Sequence, residues 1–256
     1  MPDLATSWHD ARLDGTRFGP VHWYERIDST NRVVLSAAAN GAPEGLVAIA
    51  DEQTAGRGRL GRTWVAPPRA SLLVSALVRP RLDPERQALV TMAAGLAAID
   101  ALRGLADIHA RLKWPNDVVV DDRKLAGILA EKAGDAVVVG MGLNVTWESF
   151  PDELAATATA CNLLTATPLA IEHVLVAWLV DFDARLENLA AVIDDARTHS
   201  ATLGRRVRVE MPQETFDAEA ITLDDTGRLV VRRDDGDEQV VAAGDVVHLR
   251  TRAASD

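Results

Sequence analysis

After Leu203 the chain changes its period. Short strands are expected at Val207–Met211, Thr215–Thr222, Leu229–Arg233, Glu238–Ala242 and Val246–Arg250. The turns between them carry Asp224-Asp225-Thr226-Gly227 and Asp234-Asp235-Gly236. Strands this short and this regularly spaced suit a small barrel. A boundary near residue 203 therefore divides the chain into 1–202 and 203–252, and Ala253–Asp256 reads as a frayed tail.

The first part mixes periods. A strand is expected at Val21–Ile27 and a short helix from Ser29-Thr30-Asn31 to Ala39, stopped by Gly41, Pro43 and Gly45. Leu46–Ala50 and Ser71–Val78 read as strands, and residues 53–70 between them as a loop without period. Glu85–Arg103 places Leu89, Met92, Ala93, Leu96 and Ile99 at helical spacing, which makes a core-facing helix. Strands are then expected at Ile108–Lys113, Asp117–Val120, Leu125–Glu131 and Ala136–Gly140, with a hairpin at Asp121-Asp122-Arg123. Helices return at Pro168–Leu189 and Ala190–Thr202. The class is α+β.

Composition narrows the function. The 256 residues carry a formal net charge of −11, which disfavours a nucleic-acid binder. The one cysteine, Cys161, excludes an internal disulfide and fits a small, partly buried residue; the six histidines form no i, i+4 pair, so no metal site is expected. The N-terminus lacks the pattern of a secretory signal, and the longest apolar run, Leu89–Ile99, is too short to span a membrane. A cytoplasmic location is the default.

Against that acidic background, Gly56-Arg57-Gly58-Arg59-Leu60-Gly61-Arg62 is a local positive loop. Glycine lets backbone approach a ligand, and arginine presents a planar fork to phosphate or carboxylate. The same segment also reads as a solvated loop or an RNA contact. It is neither a P-loop nor a dinucleotide fingerprint, because no Gly-Lys-Ser/Thr follows and the glycine spacing differs. Lys113-Trp114-Pro115-Asn116-Asp117 projects a lysine, an amide and a carboxylate from a strand junction; its bland alternative is a corner with a buried Trp114. Lys124 opens an apolar strand with Gly127 three residues on, where a surface lysine at a strand end is the plainer reading. Ser29-Thr30-Asn31 reads first as a helix cap and second as a polar ligand wall.

The order of these segments carries more than any one of them. Asp28-Ser-Thr-Asn31, Gln53-Thr-Ala-Gly-Arg-Gly-Arg-Leu-Gly-Arg-Thr-Trp64, Lys113-Trp-Pro-Asn-Asp117, Arg123-Lys-Leu-Ala-Gly-Ile-Leu129 and Gly140-Met-Gly-Leu-Asn144 together resemble the signature of biotin–protein ligases, over most of residues 20–150. Gly244-Asp-Val-Val-His-Leu-Arg250 resembles the end of that family's C-terminal domain. The resemblance implies a mixed sheet with flanking helices, like that of class II aminoacyl-tRNA synthetases, followed by an SH3-like barrel. It implies adenylation of biotin by ATP with Mg2+, then transfer to a lysine of a biotin carboxyl carrier domain. Only 28 residues precede Ser29, which implies the type without a DNA-binding domain, acting as a monomer or weak dimer.

The resemblance also distributes roles. Lys124, Arg59, Lys113 and Asp117 match catalytic positions. Ser29, Thr30, Asn31, Gln53, Gly56, Arg57, Gly58, Arg59, Lys124, Gly127, Gly140 and Gly142 match the biotin site, where the last three glycines would let a ligand lie flat on the sheet. Arg57, Arg62, Trp64, Asn116 and Asn144 join Arg59, Lys113 and Lys124 on the nucleotide side, with Arg62 facing the departing phosphates. Asp117 would orient the acceptor amine or act on the metal. Two rivals are a lipoate–protein ligase, whose Arg-Arg-x-Ser-Gly-Gly-Gly pattern is missing here, and a non-catalytic nucleic-acid or nucleotide module that uses the arginine loop.

Overall fold

The computed structural model describes residues 5–242 and 244–249. Arg250 and the tail Ala253–Asp256 lie outside the described residues.

Thirteen strands and five helices are present among them: β1 Thr6–Trp8, β2 Val21–Ile27, α1 Thr30–Ala39, β3 Val47–Gln53, β4 Ser71–Val78, α2 Ala88–Ala106, β5 Arg111–Lys113, β6 Asp117–Val120, β7 Arg123–Ala133, β8 Ala136–Asn144, α3 Asp152–Ala155, α4 Ile171–Glu187, α5 Val192–Thr198, β9 Arg206–Glu210, β10 Thr215–Leu223, β11 Leu229–Arg232, β12 Glu238–Val241 and β13 Asp245–His248. Eight strands form one sheet in the order β1-β2-β3-β4-β8-β7-β6-β5, and five form a second in the order β12-β11-β10-β9-β13. Only β2 and β3 pair in parallel, across the α1 crossover; the first sheet is therefore mixed and the second antiparallel. The chain is α+β.

The large sheet has two different faces. Leu72, Val74, Ala76, Val139, Met141 and Ile128 point into a core covered by α2, α4 and α5. Helix α2 is apolar all round and is buried between α4 and the sheet, although its length and composition alone would let it cross a membrane. Gly95 lets it sit close, since a Cβ there would meet Leu112 Cδ2 at 2.5 Å. The other face carries only α1, over Ala48, Leu77, Ala136 and Val138. Beyond the N-terminal end of α1 that face is open, and the site lies there.

The turn between β6 and β7 uses Asp121 and Asp122 at φ 49° and 62°, the left-handed pair that a two-residue hairpin demands. β7 then carries a bulge: Val118 pairs with Ala126, but Val119 pairs with Lys124. The unpaired Leu125 falls between.

The second sheet shares the main core rather than forming a separate one, with Val207, Val209, Ala218, Leu229 and Val241 continuous with α2 residues. Trp114 is the buried corner between the sheets, and its indole N–H donates to the Gly227 carbonyl at 3.0 Å. At the far end of β13, His248 Nδ1 lies 3.1 Å from Asp122 Oδ1 and Nε2 lies 3.2 Å from Thr202 Oγ1. Arg205 grips the same Asp122 with both guanidinium nitrogens, at 2.6 and 2.9 Å.

This junction makes stability depend on pH. Burial holds the His248 pKa below its ordinary 6.5, so as pH falls through 6.5 the unfolded chain takes up the proton first and unfolding is favoured. Arg205 holds the Asp122 carboxyl far below the usual carboxylate range, so its contribution is complete above about pH 4 and fades only in stronger acid. Replacing His248 by Gln removes the upper step. The variant's Tm should fall less between pH 7 and 5 than the parent's; equal slopes would show that His248 is not the group responsible.

Where the sequence reading and the structure differ, pairing explains it. β3 runs to Gln53 because β2 pairs with it that far, β7 runs to Ala133 because β8 does, and β8 reaches Asn144 between β4 and β7. The strand expected from Ile108 begins only at Arg111, since Asp107 takes a left-handed cap at φ 52° and the next residues turn back. Edge strand β1 was invisible as three residues without period.

Candidate active site

A cavity of about 240 Å³ opens on the exposed face of the large sheet. Its walls come from the start of α1, the 57–64 loop, the β5–β6 corner, β7, β8, and the β9 and β13 edge of the second sheet.

One end is a polar network built on α1. Thr30 N–H and its hydroxyl both donate to Gln53 Oε1, at 2.7 and 3.1 Å. Ser75 Oγ reaches Thr30 Oγ1 at 2.7 Å and Asn31 Oδ1 at 2.5 Å. Asn31 Nδ2 donates to the Leu129 carbonyl at 3.2 Å and to Glu131 Oε2 at 2.8 Å. Ser29, Thr30 and Asn31 are all buried. Amide and hydroxyl side chains line this end, with the Glu131 carboxylate bonded to Asn31.

The other end is cationic. Arg57, Arg59, Arg62, Lys113 and Lys124 line it against the carboxylates of Asp117, Glu210 and Asp245. Lys124 Nζ sits 2.7 Å from Asp117 Oδ1. Regular alternation would send Lys124 and Gly127 to opposite faces of β7; the bulge at Leu125 restores them to the same face, with Lys124 Nζ 3.1 Å from where a Gly127 Cβ would be. The Lys124 backbone is fixed independently, as its N–H donates to Thr157 O at 2.7 Å and its carbonyl accepts from Thr159 N–H at 2.9 Å.

The 56–64 loop folds back over the cavity. Gly58 N–H donates to Arg62 O at 2.7 Å and Trp64 N–H to Gly56 O at 3.0 Å. Arg57 pairs with Glu131 at 2.9 Å. Arg59 pairs with Asp245 at 3.3 Å and Arg62 pairs with the same carboxylate. Burial lowers the Arg59 pKa, while Asp245 and then Asp117 offset that effect. The Trp64 indole lies on the sheet: a Cβ at Gly142 would meet it at 2.3 Å, and one at Gly127 at 3.1 Å. Its N–H is buried with no hydrogen-bond partner among the described residues and lies against the sheet at Gly142.

Residues 23–145 match the Biotin/lipoate A/B protein ligase family, and residues 202–249 match the Biotin protein ligase C terminal domain. A curated relative from Mycobacterium tuberculosis, a biotin--[acetyl-CoA-carboxylase] ligase, is 43% identical over 87% of this chain and 86% of its own. The chain belongs to the biotin protein ligase family. A second relative of that name, from Paracoccus denitrificans, is 34% identical over 86% of this chain and 97% of its own. Among solved structures, the biotin protein ligase from Aquifex aeolicus in complex with biotin and ATP superposes with a TM-score of 0.80 at 25% identity, covering 90% of this chain and 99% of that one.

In this biotin protein ligase the structure gathers nearly every residue singled out from the sequence. Ser29, Thr30, Asn31, Gln53, Arg57, Gly58, Arg59, Arg62, Trp64, Lys113, Asn116, Asp117, Lys124, Gly127, Gly140 and Gly142 line the one cavity. Gly56 and Asn144 do not. Gly56 is a hinge against backbone, since a Cβ there would meet Trp64 O at 2.5 Å. Asn144 is buried with its amide committed, donating to Thr159 O at 3.0 Å and accepting from Ser71 Oγ at 3.1 Å. The glycines leave less open floor than a flat seat requires: Asn31 fills the space over Gly140, and Trp64 that over Gly142. Sequence reasoning missed Ser75 and Glu131, which orient Asn31, and Glu210 and Asp245, which reach in from the second sheet. Alternation along β4 would have placed Ser75 on the site face, and Asp245 lies in the Gly244–Arg250 segment that resembles the end of the family's C-terminal domain; no sequence signal marks Glu131 or Glu210.

Proposed function

We propose that this biotin protein ligase adenylates biotin with MgATP and transfers the biotinyl group to one lysine of a biotin carboxyl carrier domain. The observation that carries the reading is the division of one cavity into a neutral polar end at Ser29, Thr30, Asn31 and Gln53 and a cationic end at Arg59, Arg62, Lys113 and Lys124. A ureido ring suits the first and a carboxylate meeting a triphosphate suits the second. On this reading the division is 1–202 for the chemistry and 203–252 for the small C-terminal domain, whose described strands β9 and β13 close one wall.

The first step forms a bond from a biotin carboxylate oxygen to the α-phosphorus and breaks the bond to pyrophosphate. Like charges meet, and at about 4 Å they repel by roughly 4 kcal/mol at a near-surface effective dielectric. Lys124 faces the carboxylate and α-phosphate, Lys113 the α-phosphate, and Arg62 the departing pyrophosphate; Arg57 and Arg59 hold the loop over the adenylate. Asn116 supports Arg59 and Trp64 covers the nucleotide. In the second step the acceptor lysine amine attacks the mixed anhydride and AMP leaves. Asp117, which already holds Lys124 at 2.7 Å, is placed to orient that amine or to take its proton. Mg2+ is commonly held by one or two carboxylates together with substrate phosphates, and Asp117, Glu210 and Asp245 are carboxylates that line the cavity.

We also assign the protein to the cytoplasm, acting as a monomer or weak dimer and without nucleic acid or membrane. Incubation with biotin, MgATP and a carrier domain should add the mass of one biotinyl group to that domain. A carrier whose target lysine is replaced by arginine should gain none. Modification of both, or of neither, would refute the transfer step.

A further inference from the structure

Two carboxylates reach the site from outside the large sheet. Glu210 of β9 and Asp245 of β13 are direct cross-strand partners. Like charges so placed repel, and the loop arginines offset them. Asp245 Oδ1 lies 3.3 Å from Arg59 Nη1, and its other oxygen pairs with Arg62. Arg59 also donates to Asn116 Oδ1 at 3.1 Å and to the Gly244 carbonyl at 3.2 Å. Strand β13 is itself anchored at its far end through His248, Asp122 and Thr202. The carboxylate is thus held by a rigid frame.

The two arginines are not equivalent. The Arg59 side chain is 23% exposed and has three acceptors; that of Arg62 is 63% exposed and has one. A guanidinium that far from water stays with its counter-charge, because leaving it unpaired costs more than any single contact returns. Arg62 lacks that constraint, and phosphate oxygens carry more charge than the one carboxylate it would leave.

We propose that Asp245 is a positioning residue for nucleotide binding. It fixes Arg59 as the strut that keeps the 56–64 loop folded over the site, and it parks Arg62 until a triphosphate draws that side chain away. The proposal rests on the ligase reading above for its ligand, but the loop contact is testable without it.

The test compares Asp245→Asn, which keeps size and loses charge, with Asp245→Glu, which keeps charge. Hydrogen exchange in the ligand-free chain reads the amides of Gly58, Arg62 and Trp64, which bond Arg62 O, Arg59 O and Gly56 O. Asn should lose about tenfold or more of their protection, and Glu should stay within about threefold of the parent. Arg59→Ala should lose it as Asn does, whereas Arg62→Ala should keep it. In pyrophosphate exchange, Asn should raise KM for MgATP about tenfold, with kcat and the biotin Kd within about threefold.

Unchanged protection in Asp245→Asn would overturn the proposal, as would equal loss in the Asn and Glu variants or an unchanged KM for ATP. A parent chain with no exchange activity would refute the ligase reading, and the amide comparison would still decide the latch.

Discussion

Lys124→Ala should lower biotin-dependent adenylation by about 10³-fold while leaving the fold in place. The ammonium is the cation nearest the cavity floor at Gly127, and the β7 bulge exists to put it there. On the proposed reading it faces the point where carboxylate and α-phosphate meet, so its contribution grows as charge develops on the phosphorus oxygens. The side chain is 38% exposed, and the backbone at this residue is held by Thr157 and Thr159 regardless of what it bears. Little burial is lost with it. Tm should move by only a few degrees, as for substitutions away from the core. Asp117 loses its cation at 2.7 Å, so the acceptor step should suffer as well. A variant that adenylates within about tenfold of the parent would remove Lys124 from the mechanism.

Gly140→Ala should weaken biotin binding by about 100-fold, corresponding to roughly 2.7 kcal/mol. The added methyl would lie 1.9 Å from Asn31 Oδ1 and 2.8 Å from its Cγ, and no rotation of the methyl relieves that. Asn31 must move, and with it go the contacts to Ser75 Oγ, Leu129 O and Glu131 Oε2. Overpacking of this kind costs about 1–3 kcal/mol, and each buried partner left unmade adds to it. Gly140 has ordinary extended backbone, so the effect comes from crowding and not from φ. The double variant Asn31→Ala with Gly140→Ala separates the causes: it should regain thermal stability without regaining biotin affinity. Titration of biotin alone gives the answer, and a Kd within about threefold of the parent for Gly140→Ala would exclude Asn31 from the biotin wall.

Some of this arrangement is legible in the linear chain. Ser71–Val78 and Asp117–Val120 are short, mostly apolar runs bounded by turn residues, so their limits match the observed strands. The arginine–glycine loop stands out by its local charge, and the structure folds it over the cavity. The five late strands announce a small antiparallel unit. Other features are set by pairing and cannot be read from spacing. Lys124 and Gly127 stand three apart, which predicts opposite faces, and only the pairing of Val119 with Lys124 shows the extra residue. Gly140 and Gly142 suggest open floor, but Asn31 and Trp64 approach from distant segments and fill it. Asn144 sits in a site motif, yet its amide holds Thr159 and Ser71. Asp245 meets Arg59 across 186 positions, through a second sheet whose seat on the first depends on Trp114 and His248.

The most direct measurement is exchange of labelled pyrophosphate into ATP, with biotin, with lipoate and with neither. On the proposed reading the polar end formed by Thr30, Asn31 and Gln53 takes the ureido ring, so label should enter ATP with biotin and stay at background with lipoate or with no acid. Exchange supported by lipoate as well as by biotin, or exchange absent with biotin, would contradict the account.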